Sequence, residues 1–191
     1  LQMNNKIIPI FFTIDDAFAP FASVAIKSLL DNANQNYFYH IHIVNNGLSE
    51  ENITKILKLE TSYSKIMFNN IDERLKAITD KKGTRLREDY FSLAIFFRIF
   101  IPDCFKEYDK ALYIDADTII LDDISKLYNT DLEGNYIGGC VDTSCFGIKD
   151  ITNYFTNGVG VDYREYINSG VILFDMKTLR DKGFADKFLY L

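Results

Sequence analysis

Stretches of continuous apolar residues alternate along this chain with stretches whose apolar residues recur at helical spacing. The run over 6–14 is almost entirely apolar, which is typical of a central parallel strand covered on both faces. Helical spacing follows over 18–32, and Pro20 suits the first turn of that helix. The same alternation continues to the end of the chain. It indicates an α/β fold built on an open, mostly parallel sheet.

The remaining predicted elements continue this order. Strands are predicted at 37–44, 65–68, 111–114, 118–121, 136–141 and 169–174. Helices are predicted after the capping residue Ser49 to about Leu59, at 71–78, at 91–101 before Pro102, at 125–128 and from about Met176. Residues 79–90 are rich in charge, which predicts a surface loop.

Two aspartates interrupt the apolar run Ala111-Leu-Tyr-Ile-Asp115-Ala-Asp117-Thr-Ile-Ile-Leu121. An ionised carboxylate is costly to bury unless a cation or strong donors compensate it. Side-chain alternation along a strand would point Asp115 and Asp117 the same way, where both can bind one hard divalent ion. Asp122 and Asp123 instead suit a turn, in which they accept backbone N–H groups. The pattern favours a cation or phosphate site at Asp115 and Asp117.

Other polar residues point to the same edge of the predicted sheet. Asp15, Asp117 and Asp142 all follow predicted strands, and ligands of open α/β sheets bind at the carboxyl ends of strands. Arg98 lies among Phe and Ile residues of the predicted helix at 91–101, so it needs an anionic partner. That partner is either a structural acid or a phosphate or carboxylate group in the site, and the pattern leaves both open.

Composition narrows the function classes. The 191 residues are 48% hydrophobic, with 16 Phe and 12 Tyr, enough for one domain with a sizeable core. A net charge of −6 argues against nucleic-acid binding, which needs a basic surface. Three cysteines without a Cys-x-x-Cys pair indicate a reducing, cytoplasmic setting. The amphipathic pattern of the last ten residues stops without a cap, so we expect a single domain over 1–191 that is truncated at its C-terminal end.

The Asp-x-Asp pair allows two chemistries. The segment Ile114-Asp115-Ala-Asp117-Thr118 matches the motif of haloacid-dehalogenase-type phosphatases, in which Asp115 would be the nucleophile, Asp117 the acid/base and Mg²⁺ the partner. That motif usually opens its domain, and no Gly-Asp dipeptide follows here. The other interpretation is a glycosyltransferase, in which the pair binds a divalent ion on the diphosphate of a nucleotide sugar.

Six ordered segments carry a family resemblance. They are Thr13-Ile-Asp15-Asp16, Phe97-Arg98-Ile99, Leu112-Tyr-Ile-Asp115-Ala-Asp117-Thr118, Leu127-Tyr-Asn-Thr-Asp131-Leu132, Gly139-Cys-Val-Asp142 and Tyr166-Ile-Asn168-Ser-Gly170-Val171. In order and spacing, from about Pro9 to Leu179, they resemble the bacterial glycosyltransferases of family 8, such as the lipopolysaccharide galactosyltransferases, and more distantly glycogenin. The resemblance implies a GT-A fold, a Rossmann-like open mixed sheet with helices on both faces.

The resemblance also implies an activity. It is that of a metal-dependent hexosyltransferase, acting with retention, that moves a hexose from a UDP-sugar to a saccharide or glycolipid acceptor in cell-surface polysaccharide or lipopolysaccharide biosynthesis. The expected location is the cytoplasm, at the inner face of the membrane, with peripheral membrane association through a segment outside this chain. A non-catalytic module that binds nucleotide sugars is a further alternative.

Residue roles follow from the matched motifs. Nucleotide contacts are implied for Thr13, Asp15, Asp16, Arg98, Asp115 and Ala116, sugar contacts for Arg98, Asp142, Asn168 and Ser169, and binding of Mn²⁺ or Mg²⁺ for Asp115 and Asp117. No catalytic nucleophile is identified. Ala17 stands where the family often carries an Asn, and the family's later Gln-Asp segment and metal-binding His have no counterpart here. His40 and His42 lie in an upstream strand, and we expect them on its polar face in a structural role.

Overall fold

Six strands form one sheet in the computed structural model, which describes residues 6–70 and 90–189. The strands are β1 (Lys6–Ile14), β2 (Tyr37–Asn45), β3 (Ser64–Asn70), β4 (Lys110–Ile114), β5 (Ile137–Val141) and β6 (Ile167–Asp175). The helices are α1 (Ala19–Asp31), α2 (Glu50–Leu57), α3 (Tyr90–Cys104), α4 (Ile124–Tyr128), α5 (Lys149–Asn153), α6 (Met176–Asp181) and α7 (Phe184–Leu189). A 3-10 helix (Thr143–Cys145) and a π-helical turn (Tyr154–Val159) lie between β5 and β6.

The strand order is β3-β2-β1-β4-β6-β5. The first four strands are parallel, whereas β6 is antiparallel to both β4 and β5. β5 therefore runs in the same direction as β4, and β6 begins where β1, β4 and β5 end. We call this side, which holds Ile14, Ile114, Val141 and Ile167, the carboxyl edge. The predicted mixed, mostly parallel sheet is confirmed.

Helices cover both faces of the sheet. Because side chains alternate along β1, Ile10 and Phe12 pack in a core cluster with α1, α2 and α4, while Phe11 packs in a second cluster with α3, α6 and α7. These three side chains are fully buried. A strand buried on both faces must be apolar throughout, and this accounts for the continuous apolar run over 6–14.

The predicted strand over 118–121 is wrong. β4 ends at Ile114, and the hydroxyl of Thr118 donates to the carbonyl oxygen of Asp115 at 2.8 Å in the turn that follows. The backbone of Ile120 then bonds to helix α1 and its cap instead of a strand. Its N–H donates to Ser28 Oγ, and its carbonyl oxygen accepts from Asn32 Nδ2, both at 3.0 Å. Two neighbouring apolar side chains are solvent-exposed, Ile119 by 64% and Leu121 by 83%.

Other element boundaries also differ from the prediction. Helix α3 continues past Pro102 to Cys104, and the N–H of Phe105 donates to the carbonyl oxygen of Ile101 at 3.0 Å. The last turn tolerates the proline because Phe105 and Ile101 are fully buried, so tertiary packing outweighs one lost helical bond. Asn168 lies within β6 instead of preceding it. The predicted helix over 71–78 and the loop over 79–90 lie outside the described residues, except Tyr90, which begins α3.

The predicted cap at Ser49 and the predicted backbone contact of Asp123 are both confirmed. Ser49 accepts the N–H of Asn52 at 3.3 Å at the start of α2. Asp123 accepts the N–H of Ser125 at 2.9 Å and caps α4, as expected of a turn aspartate. Among the described helices, none has the length and apolar character needed to cross a bilayer.

The two histidines join an aromatic cluster on the α3 side of the sheet. His42 is only 3% exposed and stacks on Phe11 with ring centroids 4.6 Å apart, so it is buried and does not lie on a polar face as expected. The Tyr108 hydroxyl lies 3.0 Å from His42 Nε2 and 2.7 Å from His40 Nδ1. Burial lowers the pKa of His40 below 6.5, with a smaller opposing effect from Glu107.

The lowered pKa of His40 predicts acid sensitivity. The unfolded chain binds a proton near pH 6.5 and the folded chain only at lower pH, so stability is complete above 6.5 and falls as the pH drops toward the folded pKa. We expect the urea midpoint to fall between about pH 7 and pH 5, and to fall less in His40→Gln. If the urea midpoint falls equally with pH in the wild-type protein and in His40→Gln, His40 is not the source of the acid sensitivity.

Candidate functional site

The strand order places a crevice at the carboxyl ends of β1 and β4. The chain leaves β1 toward β2 and β3, and then returns to add β4 on the other side of β1. Open α/β sheets bind ligands at such a switch point, because the loops after the two strands diverge there. Asp15 follows β1 and Asp115 follows β4. Two of the predicted ligand-binding carboxylates therefore flank one crevice.

Asp115 is fixed at the crevice by two donors. Its Oδ1 accepts from the Tyr113 hydroxyl at 2.8 Å and from Arg98 Nη2 at 3.3 Å. The guanidinium carbon of Arg98 lies 4.4 Å from the centroid of the Tyr113 ring, and its Nη1 donates to the backbone oxygen and hydroxyl of Ser169. The Arg98 side chain is only 15% exposed, and its anionic partner is Asp115, an acid of the site itself. It thus joins α3, β4 and β6.

Tyr113 carries the hydroxyl that positions Asp115. Burial raises the pKa of this phenol well above its usual value, and the Asp115 carboxylate adds to the effect while Arg98 opposes it. The tyrosine therefore stays protonated and acts as a donor at neutral pH. Sequence reasoning missed it because it lies in an apolar run that reads as core, and no local signal marks it.

Gly170 allows the Asp115 side chain to approach the backbone of β6 closely. A Cβ at this position would lie 2.7 Å from Asp115 Oδ2 and 2.9 Å from Asn168 Oδ1, so the two oxygens face the bare backbone of β6. The N–H of Asp115 also donates to the carbonyl oxygen of Gly170 at 2.7 Å. Sequence reasoning did not single out this glycine. A glycine within a strand does mark close approach of a ligand or another chain segment, and that signal could have found it.

Asp142 and Asn168 meet across β5 and β6. Asn168 Nδ2 lies 3.4 Å from Asp142 Oδ2, and Asn168 Oδ1 accepts the N–H of Gly170 at 2.8 Å. The hydroxyl and N–H of Ser144 lower the pKa of Asp142, and the Asn168 amide adds to this effect. Three of the residues predicted for sugar binding, Asp142, Asn168 and Ser169, therefore lie together because β6 runs antiparallel.

The residues predicted for nucleotide binding after β1 differ in their surroundings. Asp15 is exposed, and its Oδ1 accepts the N–H of Phe18 at 3.0 Å, while Thr13 is half-buried on β1. Asp16 Oδ1 accepts the N–H of Ser49 at 2.8 Å and Asn52 Nδ2 at 2.9 Å, and these bonds lower the pKa of Asp16. The Asp16 carboxylate thus ties the loop that carries Asp15 to helix α2.

Asp115 and Asp117 fit part of a divalent metal site. Because β4 ends at Ile114, both residues lie in the turn after the strand, and the alternation of side chains along a strand does not determine their directions as predicted. Asp117 is exposed, and Asp115 Oδ2 lies close to the backbone of Gly170. Across residues 6–70 and 90–189, no three side chains of the His, Cys, Asp or Glu type form a complete metal cluster. Two hard oxygen donors suit an ion such as Mg²⁺, which keeps several waters and substrate phosphates as its other ligands.

Removing the Tyr113 hydroxyl tests whether Asp115 needs this donor. We expect Tyr113→Phe to weaken Mn²⁺-dependent UDP binding about 10-fold, since the carboxylate loses one of two donors to Oδ1. The melting temperature should change little, because the phenyl ring still packs under Arg98. Calorimetry and thermal unfolding measure the two effects. In the control Tyr128→Phe, the lost hydroxyl lies at a long 3.5 Å from the Lys110 carbonyl oxygen, and UDP affinity should be unchanged. A normal UDP affinity in Tyr113→Phe would refute this role.

Comparisons with known proteins agree with this geometry. The chain is 28% identical over 185 residues to a putative glycosyltransferase of Haemophilus influenzae, covering 96% of this chain and 53% of that protein. It is 26% identical over 184 residues to the lipopolysaccharide 1,2-glucosyltransferase of Escherichia coli, covering 93% of this chain and 50% of that enzyme. The chain therefore spans about half the length of these curated relatives.

Solved structures confirm the predicted GT-A fold. The galactosyltransferase LgtC, in complex with donor and acceptor sugar analogs, superposes with a TM-score of 0.68 at 23% identity, over 94% of this chain and 66% of that chain. The model of the family described as glycosyl transferase family 8 matches residues 9–191. This match favours the glycosyltransferase interpretation of Asp115 and Asp117 over the phosphatase interpretation. The chain belongs to glycosyltransferase family 8.

Proposed function

We propose that this chain forms the donor-binding part of a metal-dependent, retaining hexosyltransferase that uses a UDP-sugar. The observation that carries the proposal is the meeting of Arg98, Asp115, Asn168 and Asp142 around Gly170 at the carboxyl edge. The acceptor would be a saccharide or glycolipid of cell-surface polysaccharide or lipopolysaccharide assembly. The name of the Escherichia coli relative supports this product class, and the donor and acceptor analogs of LgtC support the reaction class.

The crevice between β1 and β4 suits the nucleoside diphosphate. Thr13 and Asp15 lie at its β1 side, where the backbone near Thr13 and the Asp15 carboxylate can bind the base and ribose. Arg98 supplies a cation beside the diphosphate path, and Asp115 and Asp117 would hold Mn²⁺ or Mg²⁺ there. The bound ion would stabilise the negative charge that develops on the departing diphosphate.

Asp142 and Asn168 suit the hexose. A carboxylate accepts hydrogen bonds from sugar hydroxyls, and a primary amide both donates and accepts. Their mutual contact and the Gly170 N–H hold the Asn168 amide in one orientation. Holding the sugar in one orientation removes rotational freedom before the reaction, which lowers the barrier to transfer. We assign no nucleophile. The reaction belongs in the cytoplasm, at the inner face of the membrane where a glycolipid acceptor is accessible.

Calorimetry of the full-length protein with UDP, with and without Mn²⁺, tests the proposal. We expect binding that requires Mn²⁺, because Asp115 and Asp117 alone would repel the diphosphate. Titration with GDP is the control for base selectivity. Absence of Mn²⁺-dependent UDP binding would overturn the proposal.

Turnover separates an enzyme from a non-catalytic binding module. We expect the full-length protein to release free UDP from UDP-glucose or UDP-galactose, by transfer to an acceptor or to water. A protein that binds UDP with Mn²⁺ yet releases none from either sugar, with or without acceptor, would be a binding module.

A further inference from the structure

A helical excursion over 143–166 rises from the carboxyl edge between β5 and β6. Both its ends are tied to the edge, since the N–H of Asp142 donates to the carbonyl oxygen of Tyr166 at 2.8 Å. None of its described side chains is buried. It nevertheless exposes large apolar side chains, namely Phe146, Ile148, Ile151, Tyr154, Val159 and Val161. Large apolar side chains exposed along one segment indicate a surface that binds a partner or ligand.

Three aromatic rings lead from the edge to the tip of this excursion. Tyr166 directly precedes β6, and its ring centroid lies 4.1 Å from that of Phe155. Phe155 lies 5.9 Å from Tyr154, which is 64% exposed. A Cβ at Gly158 would come within 3.1 Å of Tyr154 Cδ2, so the tyrosine ring rests against bare backbone. The rings thus form a ladder that starts two residues from Asn168.

The charged residues of this segment favour a neutral ligand over an anionic membrane surface. The stretch 142–166 carries four acidic residues, Asp142, Asp150, Asp162 and Glu165, against the two basic residues Lys149 and Arg164. Arg164 is paired with Asp162. An anionic membrane surface attracts basic segments, so it does not match this excursion. Carboxylates accept hydrogen bonds from hydroxyl groups, and the apolar face of a pyranose ring packs on an aromatic ring, so both features suit a neutral saccharide.

We propose that the Tyr154-Phe155-Tyr166 ladder binds the acceptor saccharide and leads its reactive end to the hexose held at Asp142 and Asn168. This assignment rests on the proposed transferase function. Tyr154 is the most exposed of the three rings, whereas Tyr166 lies two residues from Asn168 in the sequence. An oligosaccharide of several units therefore uses it, whereas UDP does not.

Tyr154→Ala in the full-length protein tests the assignment. An array of bacterial surface oligosaccharides first identifies the strongest-binding oligosaccharide. Saturation-transfer NMR then measures the affinity for that oligosaccharide in solution, and calorimetry measures the affinity for UDP with Mn²⁺. We expect Tyr154→Ala to weaken binding of that oligosaccharide about 10-fold, the loss typical of one stacking ring, with UDP affinity unchanged. The control is Tyr136→Ala, since Tyr136 is 44% exposed but lies at the opposite end of β5.

Each other outcome overturns the assignment. Wild-type protein that binds UDP but no array oligosaccharide refutes it, as does Tyr154→Ala with unchanged oligosaccharide affinity. Loss of binding to vesicles of anionic phospholipid in Tyr154→Ala, with oligosaccharide binding intact, would assign the ladder to a membrane. Failure of the proposed function is a different result, because then wild-type protein binds no UDP with Mn²⁺.

Discussion

Replacing Gly170 with alanine is expected to weaken Mn²⁺-dependent UDP binding and sugar transfer by about 100-fold, because a displacement of about 1 Å in a site has that effect. The new Cβ would lie 2.7 Å from Asp115 Oδ2 and 2.9 Å from Asn168 Oδ1. Asp115 cannot simply rotate away, because Tyr113 and Arg98 both donate to its Oδ1. Either β6 or the carboxylate must move, and each movement shifts the Asp115 carboxylate, proposed to bind the metal, relative to the Asn168 amide, proposed to bind the sugar.

Gly139→Ala is the matched control for Gly170→Ala. Gly139 lies on β5, and its added Cβ would meet Ile167 Cδ1 at 3.2 Å, the end of a flexible side chain. We expect that variant to keep UDP affinity within about twofold, since flexible side chains absorb such contacts. Calorimetry gives the affinities, and circular dichroism with thermal unfolding shows that both variants are folded. Wild-type UDP affinity in folded Gly170→Ala would show that UDP binding does not depend on the close approach of Asp115 to β6.

Replacing Asp117 with alanine is expected to remove the Mn²⁺ dependence of UDP binding. Asp117 is exposed in the turn after β4, so the fold does not depend on its carboxylate. Loss of one of the two proposed protein ligands should cost more than the 10- to 100-fold typical of an outer-shell group, so we expect Mn²⁺ affinity to fall by more than about 100-fold. Mn²⁺ electron paramagnetic resonance with UDP present measures the bound ion directly, and UDP calorimetry measures the coupled effect.

The control for Asp117→Ala is Asp122→Ala in the same loop. The Asp122 carboxylate accepts from Lys126 Nζ at 2.8 Å and from the N–H of Asp123 at 2.7 Å, which are contacts within the fold. We expect that variant to bind Mn²⁺ and UDP normally. Equal losses in the two variants would mean that general negative charge, and not coordination by Asp117, attracts the ion.

The sequence predicted those features that depend on contacts between residues close together in the chain. Ser49 caps its helix and Asp123 accepts a backbone N–H group as expected, because short polar side chains at these positions bond to the backbone close to them in sequence. The strand predicted over 118–121 failed for the opposite reason. Its β-branched run is compatible with a strand, but the partners of the Ile120 backbone are Ser28 and Asn32, which lie about ninety residues earlier.

The site itself depends on topology that no local pattern contains. The sequence placed Asp142 and Asn168 at strand ends, but their pairing requires β6 to run antiparallel to β5. Tyr113 and Gly170 were missed because a tyrosine in an apolar run resembles core and a single glycine resembles a weak strand position. Their roles follow only from the register of β4 against β6, which brings Ile114 opposite Val171.

The two ends of the excursion over 143–166 are joined at the edge by the 2.8 Å bond between Asp142 and Tyr166. A segment whose ends meet in this way can be lengthened, shortened or exchanged without altering the strands beneath it, because closing a loop costs little more as the loop grows. The sheet and the excursion can therefore diverge at different rates. If the excursion binds the acceptor as proposed, exchange of this one segment would change the acceptor while the donor site stays intact, and chimeras joined at residues 142 and 166 would test this.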